Sequence, residues 1–160
     1  MKTLYVHIGW PKTGTTYLQT ILFGKKFNIG EILRQGVFPL PCLFSGLALP
    51  EITKIRDKPE AMISDRLTKA LEAEATECHS IVVSHEAYAS LECESIDKLA
   101  SVFSEFDVKI IAYLRPQDQQ CESYWKQWHI TEMSFDQWYC QYLKEPLQYW
   151  NTLQSWADRF

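Results

Sequence analysis

With 160 residues, 46% of them hydrophobic and 14% aromatic, the chain carries enough apolar surface for one sizeable core and reads as a single domain over 1–160 rather than a disordered segment. Twenty acidic residues against sixteen basic ones leave a formal charge of −4, which excludes a bulk attraction to nucleic acid or to an anionic membrane. An anionic ligand would have to be held by local positive groups.

Five scattered cysteines (Cys42, Cys78, Cys93, Cys121 and Cys140) contain no C-x-x-C pair, so neither a disulfide framework nor a zinc site is indicated. The apolar run after Lys2 is broken at Gly9-Trp10-Pro11, too early for a secretory segment or a membrane span. The expected location is cytoplasmic, and no metal is called for.

In chain order, Leu4 to Ile8 reads as a buried strand, followed by the punctuated turn Gly9-Trp10-Pro11-Lys12-Thr13-Gly14 and a helix over 15–27 with Tyr17, Leu18, Ile21 and Leu22 as its apolar stripe. A strand, a loop and a helix N-terminus together make an anion site, because the amides there lack intrahelical acceptors and the macrodipole adds positive character. The spacing matches the glycines and final hydroxyl of G-x-x-x-x-G-K-[ST], with Gly9, Gly14 and Thr16 in place. The lysine does not match: Thr15 stands in its position and the loop's cation is Lys12, before the second glycine. That argues against hydrolysis of a nucleoside triphosphate and for an anion held by loop amides, threonine hydroxyls and a relocated ammonium.

Residues 28–59 are turn-rich and apolar, either a wall for an acceptor or a loop over the core. A helix with a charged outer face is expected over 61–77, then a short buried strand Ser80–Ser84 that presents His85 and Glu86 at its C-terminal end, the edge where open α/β sheets bind ligands. Leu91 to Phe106 has helical spacing, Val108 to Arg115 reads as a third buried strand, and Pro116 starts the next helix. Strands alternating with helices imply a central parallel sheet flanked by helices. Arg115 and Ser123, eight residues apart, can grip a phosphate through a guanidinium and a hydroxyl. The same arginine could instead pair with Asp118 or Glu122. Beyond it the chain is aromatic, with two short helices, 135–143 and 147–160, separated at Pro146. Core packing is the first reading of these rings and stacking on a sugar or lipid-like acceptor the alternative.

The run Pro11-Lys12-Thr13-Gly14-Thr15-Thr16, followed by Tyr17-Leu18-Gln19, resembles the 5′-phosphosulfate-binding loop of the sulfotransferases that use 3′-phosphoadenosine 5′-phosphosulfate (PAPS), in their bacterial form. Arg115, Pro116 and Ser123 resemble the pair with which that family holds the 3′-phosphate. The resemblance implies a three-layer, P-loop-like α/β fold and transfer of a sulfuryl group from PAPS to an acceptor hydroxyl or amine on a small molecule, carbohydrate or lipid. It implies that Pro11, Lys12, Thr13, Gly14, Thr15, Thr16, Arg115 and Ser123 bind the cosubstrate, with Lys12 also serving the leaving group. Glu86, or else His85, would be the base. It also implies a later basic, glycine-containing segment closing over the nucleotide; nothing after Ser123 matches it, so a C-terminally truncated or lidless member is expected. Two rivals follow: a nucleotide-binding remnant without turnover, and a P-loop nucleotide kinase, which lacks its loop lysine.

Overall fold

The computed structural model describes residues 2–15, 17–18, 37–39, 80–142 and 149–160. The elements are β1 (Thr3–Gly9), β2 (Val37–Pro39), β3 (Ser80–His85), a 3-10 turn (Glu86–Ser90), α1 (Cys93–Val102), β4 (Asp107–Tyr113), α2 (Gln117–Trp128), α3 (Phe135–Tyr142) and α4 (Tyr149–Ala157). The expected helices over 15–27, apart from Thr15, Tyr17 and Leu18, and over 61–77 lie outside the described residues, as does Thr16. Among the described residues no helix is long and apolar enough to cross a membrane.

The architecture is α/β with a parallel sheet in the order β2-β3-β1-β4. β1 lies inside it, with Leu4, Val6 and Ile8 opposite Ile81, Val83 and His85 of β3 and opposite Val108, Ile110 and Ala112 of β4. Period-two geometry puts Leu4, Val6 and Ile8 on one face, and all three are fully buried. That face joins Ile81, Val83, Tyr88, Leu91, Ile96, Leu99, Phe103 and Trp156 in one cluster. α1 reaches it because Ile96, Leu99 and Phe103 recur at three- and four-residue steps, and α4 reaches it through Trp156. Each such aliphatic side chain contributes roughly 1.5–3 kcal/mol on burial.

Two details depart from the sequence expectation. Val37–Pro39, within the stretch read as loop, pairs in parallel with β3. It stands at the end of the strand order, where a proline in a strand is tolerated because one side needs no ladder partner. β4 was expected to be buried, yet its residues are only half-buried or exposed and it closes the opposite end of the sheet. Lys109 and Asp107 form a surface ion pair of 2.9 Å there.

The aromatic tail is partly local packing. Ser134 and Gln137 form a reciprocal cap at the start of α3, Gln137 N–H donating to Ser134 Oγ (3.3 Å) and Ser134 N–H to Gln137 Oε1 (3.1 Å). Trp125 of α2 packs edge-on against Phe135 of α3 and donates its indole N–H to the Met133 carbonyl at 2.9 Å. These rings hold α3 against α2. α4 is tied to α1 by Arg159, whose Nε meets Asp97 at 2.5 Å.

Trp156 is fully buried, but its indole N–H has no hydrogen-bond partner among the described residues. Trp156→Ala is expected to cost about 3–5 kcal/mol by emptying a core site. Trp156→Phe should cost clearly less, because no hydrogen bond is lost with the ring nitrogen. Urea unfolding of both variants checks this; equal losses would mean that the indole nitrogen contributes a bond.

Candidate anion site at the β1 loop

The loop after β1 is built on close contact. A Cβ on Gly9 would lie 2.4 Å from Thr15 Oγ1 and 3.1 Å from His7 Cε1, so only glycine lets the chain turn back over the strand end. The Trp10 carbonyl then gathers three donors: the Thr13 amide at 3.3 Å, Thr13 Oγ1 at 2.6 Å and Thr15 Oγ1 at 3.3 Å. Lys12 and Gly14 adopt left-handed φ values of 69° and 88°. For Lys12 that conformation is strained, of order 1–3 kcal/mol. The helix begins at once, with the Leu18 amide bonded to the Gly14 carbonyl at 3.0 Å, and among the described residues nothing lies within 4 Å of where a Gly14 Cβ would stand.

The threonines thus act differently from expectation in this state. Their hydroxyl protons are directed back to Trp10 rather than outward, and Thr15, at the lysine position of an ATP-binding loop, is buried. The loop is held in shape by its own side chains.

Arg115 joins this loop to α2. Its Nη1 donates to Ser123 Oγ at 2.7 Å and to the Lys12 carbonyl at 3.3 Å. Among the described residues no ion pair joins Arg115 to Asp118 or Glu122, and Glu122 pairs with Lys126 at 2.6 Å. Pro116 is the N-cap of α2, one residue outside the helix it was expected to start. Gln120, fully buried one turn before Ser123, donates its amide N–H to the Pro11 carbonyl. In a trans peptide the N–H points opposite to the C=O, so the bond to the Pro11 carbonyl turns the Lys12 N–H away from α2.

Two phenols complete the surroundings. The Tyr149 ring meets Trp10 edge-on with centroids 4.9 Å apart. Burial pushes the Tyr149 phenol up in pKa, Cys121 adds to this, and Arg115 counters it. Burial also raises Tyr124, a hydrogen bond from Gln120 opposes the rise, and the Glu86 charge adds to it. Both phenols therefore stay protonated at neutral pH. Through these couplings Glu86, at the start of the 3-10 turn, falls in the same electrostatic neighbourhood as Tyr124, while Arg115 neighbours Tyr149.

His85 ends β3, opposite Ile8 in register, and burial lowers its pKa. The sequence reading overlooked a second histidine. His7, 1% exposed, meets Ser84 Oγ through Nδ1 at 2.7 Å, lies edge-on to Tyr113 at 5.0 Å and supports Gly9 from below. Period-two alternation from Leu4 would have placed His7 with Gly9 on the face away from the apolar cluster. Gln120 could have been found from helical spacing, which sets it three residues before Ser123 and four before Tyr124. The Tyr149 contact with Trp10 has no local signal. Of the expected site residues, Pro11, Lys12, Thr13, Gly14, Thr15, Arg115 and Ser123 are brought together, and His85 ends the adjacent strand β3 with Glu86 directly after it, at the same sheet edge.

The chain matches no protein-family model and no curated protein.

Gly9→Ala is expected to destabilise the protein by about 1–3 kcal/mol, since the added methyl overpacks buried groups; thermal unfolding checks it, and an unchanged Tm would mean that Thr15 can move aside. The buried histidines give a pH signature. Burial lowers the native pKa of His7 and His85 below the ordinary 6.5 of the unfolded chain. Below that value the unfolded chain binds more protons, so this part of the stability is complete above pH 6.5 and declines as pH falls through 6.5 toward the native pKa values. His7→Asn, which keeps a polar atom near Nδ1 but does not titrate, should flatten the fall in Tm between pH 7 and 5.

Proposed function

We propose that this chain is a PAPS-dependent sulfotransferase on a P-loop-like, three-layer fold, acting on an acceptor hydroxyl or amine. The observation that supports this most is the contact of Arg115 with both Ser123 Oγ and the Lys12 carbonyl. Two anion-binding patterns, far apart in sequence, become neighbours, as a ligand with a phosphate at each end of a ribose requires. Thr15 in place of a loop lysine weighs against a nucleotide kinase.

The donor supplies an activated sulfuryl group on a 5′-phosphate. As the acceptor oxygen bonds to sulfur, the bridging S–O bond breaks and its electron pair passes to that phosphate. The chain's own task is positioning and charge: loop amides and the helix start for the 5′ end, the Arg115 guanidinium with Ser123 for the 3′-phosphate, and the Lys12 ammonium for the charge that grows on the leaving oxygen. The acceptor proton goes to Glu86 or His85. Burial keeps His85 unprotonated at neutral pH, the form a base needs.

Adenosine 3′,5′-bisphosphate is expected to raise the Tm, and Arg115→Ala to weaken its binding by about 1.5–3 kcal/mol, one charge-assisted bond. Calorimetric affinities equal for both proteins would remove Arg115 from the site. Lys12→Ala should lower sulfuryl turnover by about 10²–10³ while nucleotide binding largely survives, because its contact strengthens as the bond breaks. The measurement is sulfuryl transfer from labelled donor to a model phenol beside nucleotide titrations. Nucleotide binding without turnover in the wild type would favour the non-catalytic remnant.

A further inference from the structure

Lys12 has a positive φ of 69°, a conformation that glycine takes without strain, as Gly14 does at 88°. The loop therefore carries a side chain where its backbone favours none. What holds Lys12 there is found in the two peptide planes that flank it, because φ and ψ are the rotations of those planes about the α-carbon. The plane after Lys12 is held at both ends: its carbonyl accepts from Arg115 Nη1 at 3.3 Å, and its N–H, that of Thr13, donates to the Trp10 carbonyl at 3.3 Å. The plane before Lys12 is held at the Pro11 carbonyl by the Gln120 amide N–H.

Gln120 is fully buried on α2, at a position where an apolar side chain would cost less in desolvation. Its amide donates to Pro11 and also bonds Tyr124, one turn further along the same helix, so the amide is steadied by α2 itself. Arg115 is anchored to that helix too, through Ser123 Oγ at 2.7 Å. Both flanking carbonyls of Lys12 are thus gripped from one base. Released from Gln120, the plane before Lys12 could rotate and carry the residue to negative φ, where an ordinary side chain is unstrained. The Cα–Cβ bond, from which the ammonium is extended, would then take another direction.

We propose that Gln120 is a positioning residue for Lys12: by holding the Pro11 carbonyl it keeps Lys12 left-handed, and so fixes the direction in which the ammonium is offered. It acts through one peptide group and needs no contact with a ligand. That the ammonium then serves a leaving phosphate rests on the sulfotransferase reading given above, whereas the hold on the backbone does not.

The test is a pair of double-mutant cycles. Gln120→Met removes the amide donor at nearly constant volume, and Lys12→Gly removes the strain. The change in Tm on Lys12→Gly should be more favourable in the wild type than in Gln120→Met, where the strain has already relaxed, by roughly 2–4 °C. Equal changes in the two backgrounds mean that Gln120 only packs, and they overturn the proposal. The second cycle reads sulfuryl transfer to a model phenol. Gln120→Met should lower kcat by roughly 10- to 100-fold, with the affinity for adenosine 3′,5′-bisphosphate little changed, and should add little to the loss in Lys12→Ala. An unchanged kcat, or the same loss in both backgrounds, overturns the proposal, since the effect then bypasses the ammonium. A wild type without turnover overturns the sulfotransferase reading instead, and the Tm cycle alone decides the hold on Lys12. Should Gln120→Met fail to fold by circular dichroism, Gln120→Asn, whose amide is one methylene too short for Pro11, takes its place in both cycles.

Discussion

One guanidinium holds the two halves of the candidate site together. Arg115 lies two residues beyond the end of β4, and its reach to Ser123 on α2 and to the Lys12 carbonyl after β1 turns a strand-end loop and a distant helix into one surface. A guanidinium suits this because its several donors are fixed in one plane. Gln120 adds a second tie to the adjacent carbonyl of the loop. The loop is thus braced from outside by the second motif and from inside by the Trp10 carbonyl with its threonine donors.

This bracing bears on which anion chemistry fits. Loops that cradle triphosphates place a lysine after the second glycine, where it follows the terminal phosphates. Here that position is occupied by a short hydroxyl side chain lodged against Gly9, and the cation stands earlier in the turn at the half-buried Lys12, in a left-handed conformation. In the proposed reading, a cation at this place serves a single bridging phosphate rather than a polyphosphate tail. Arg115 supplies the second positive group from a separate element, which suits an anion divided between two ends of a molecule.

Much of this was legible in the chain itself. Apolar runs identified β1, β3 and β4 because parallel strands between helices carry long unbroken hydrophobic stretches, and helical spacing identified α1 and α2. The eight-residue interval between Arg115 and Ser123 turned out to be a direct contact. What escaped was set by tertiary environment. Val37–Pro39 is too short and contains a proline, so its pairing depends wholly on β3 being present. Val108 to Leu114 is as apolar as a buried strand, but burial depends on neighbours, and among the described residues β4 has a strand on only one side. The inward turn of the Thr13 and Thr15 hydroxyls needed the position of Trp10, and the His7–Ser84 bond needed the register of β1 with β3.

The placement of β1 has a consequence for how the molecule comes into being. β1 leaves the ribosome well before the two strands that flank it, which follow by some 75 and 100 residues, since Thr3 pairs with Ser80 and with Asp107. It cannot be sheltered until they emerge, and its loop gains its brace only after Ser123 does. Sheets with such distant pairings assemble slowly, because the entropy of closing long loops must be met before the contacts form. The nascent chain therefore exposes the apolar β1 while about 100 further residues are made, a stage at which an unpaired apolar strand is prone to aggregate.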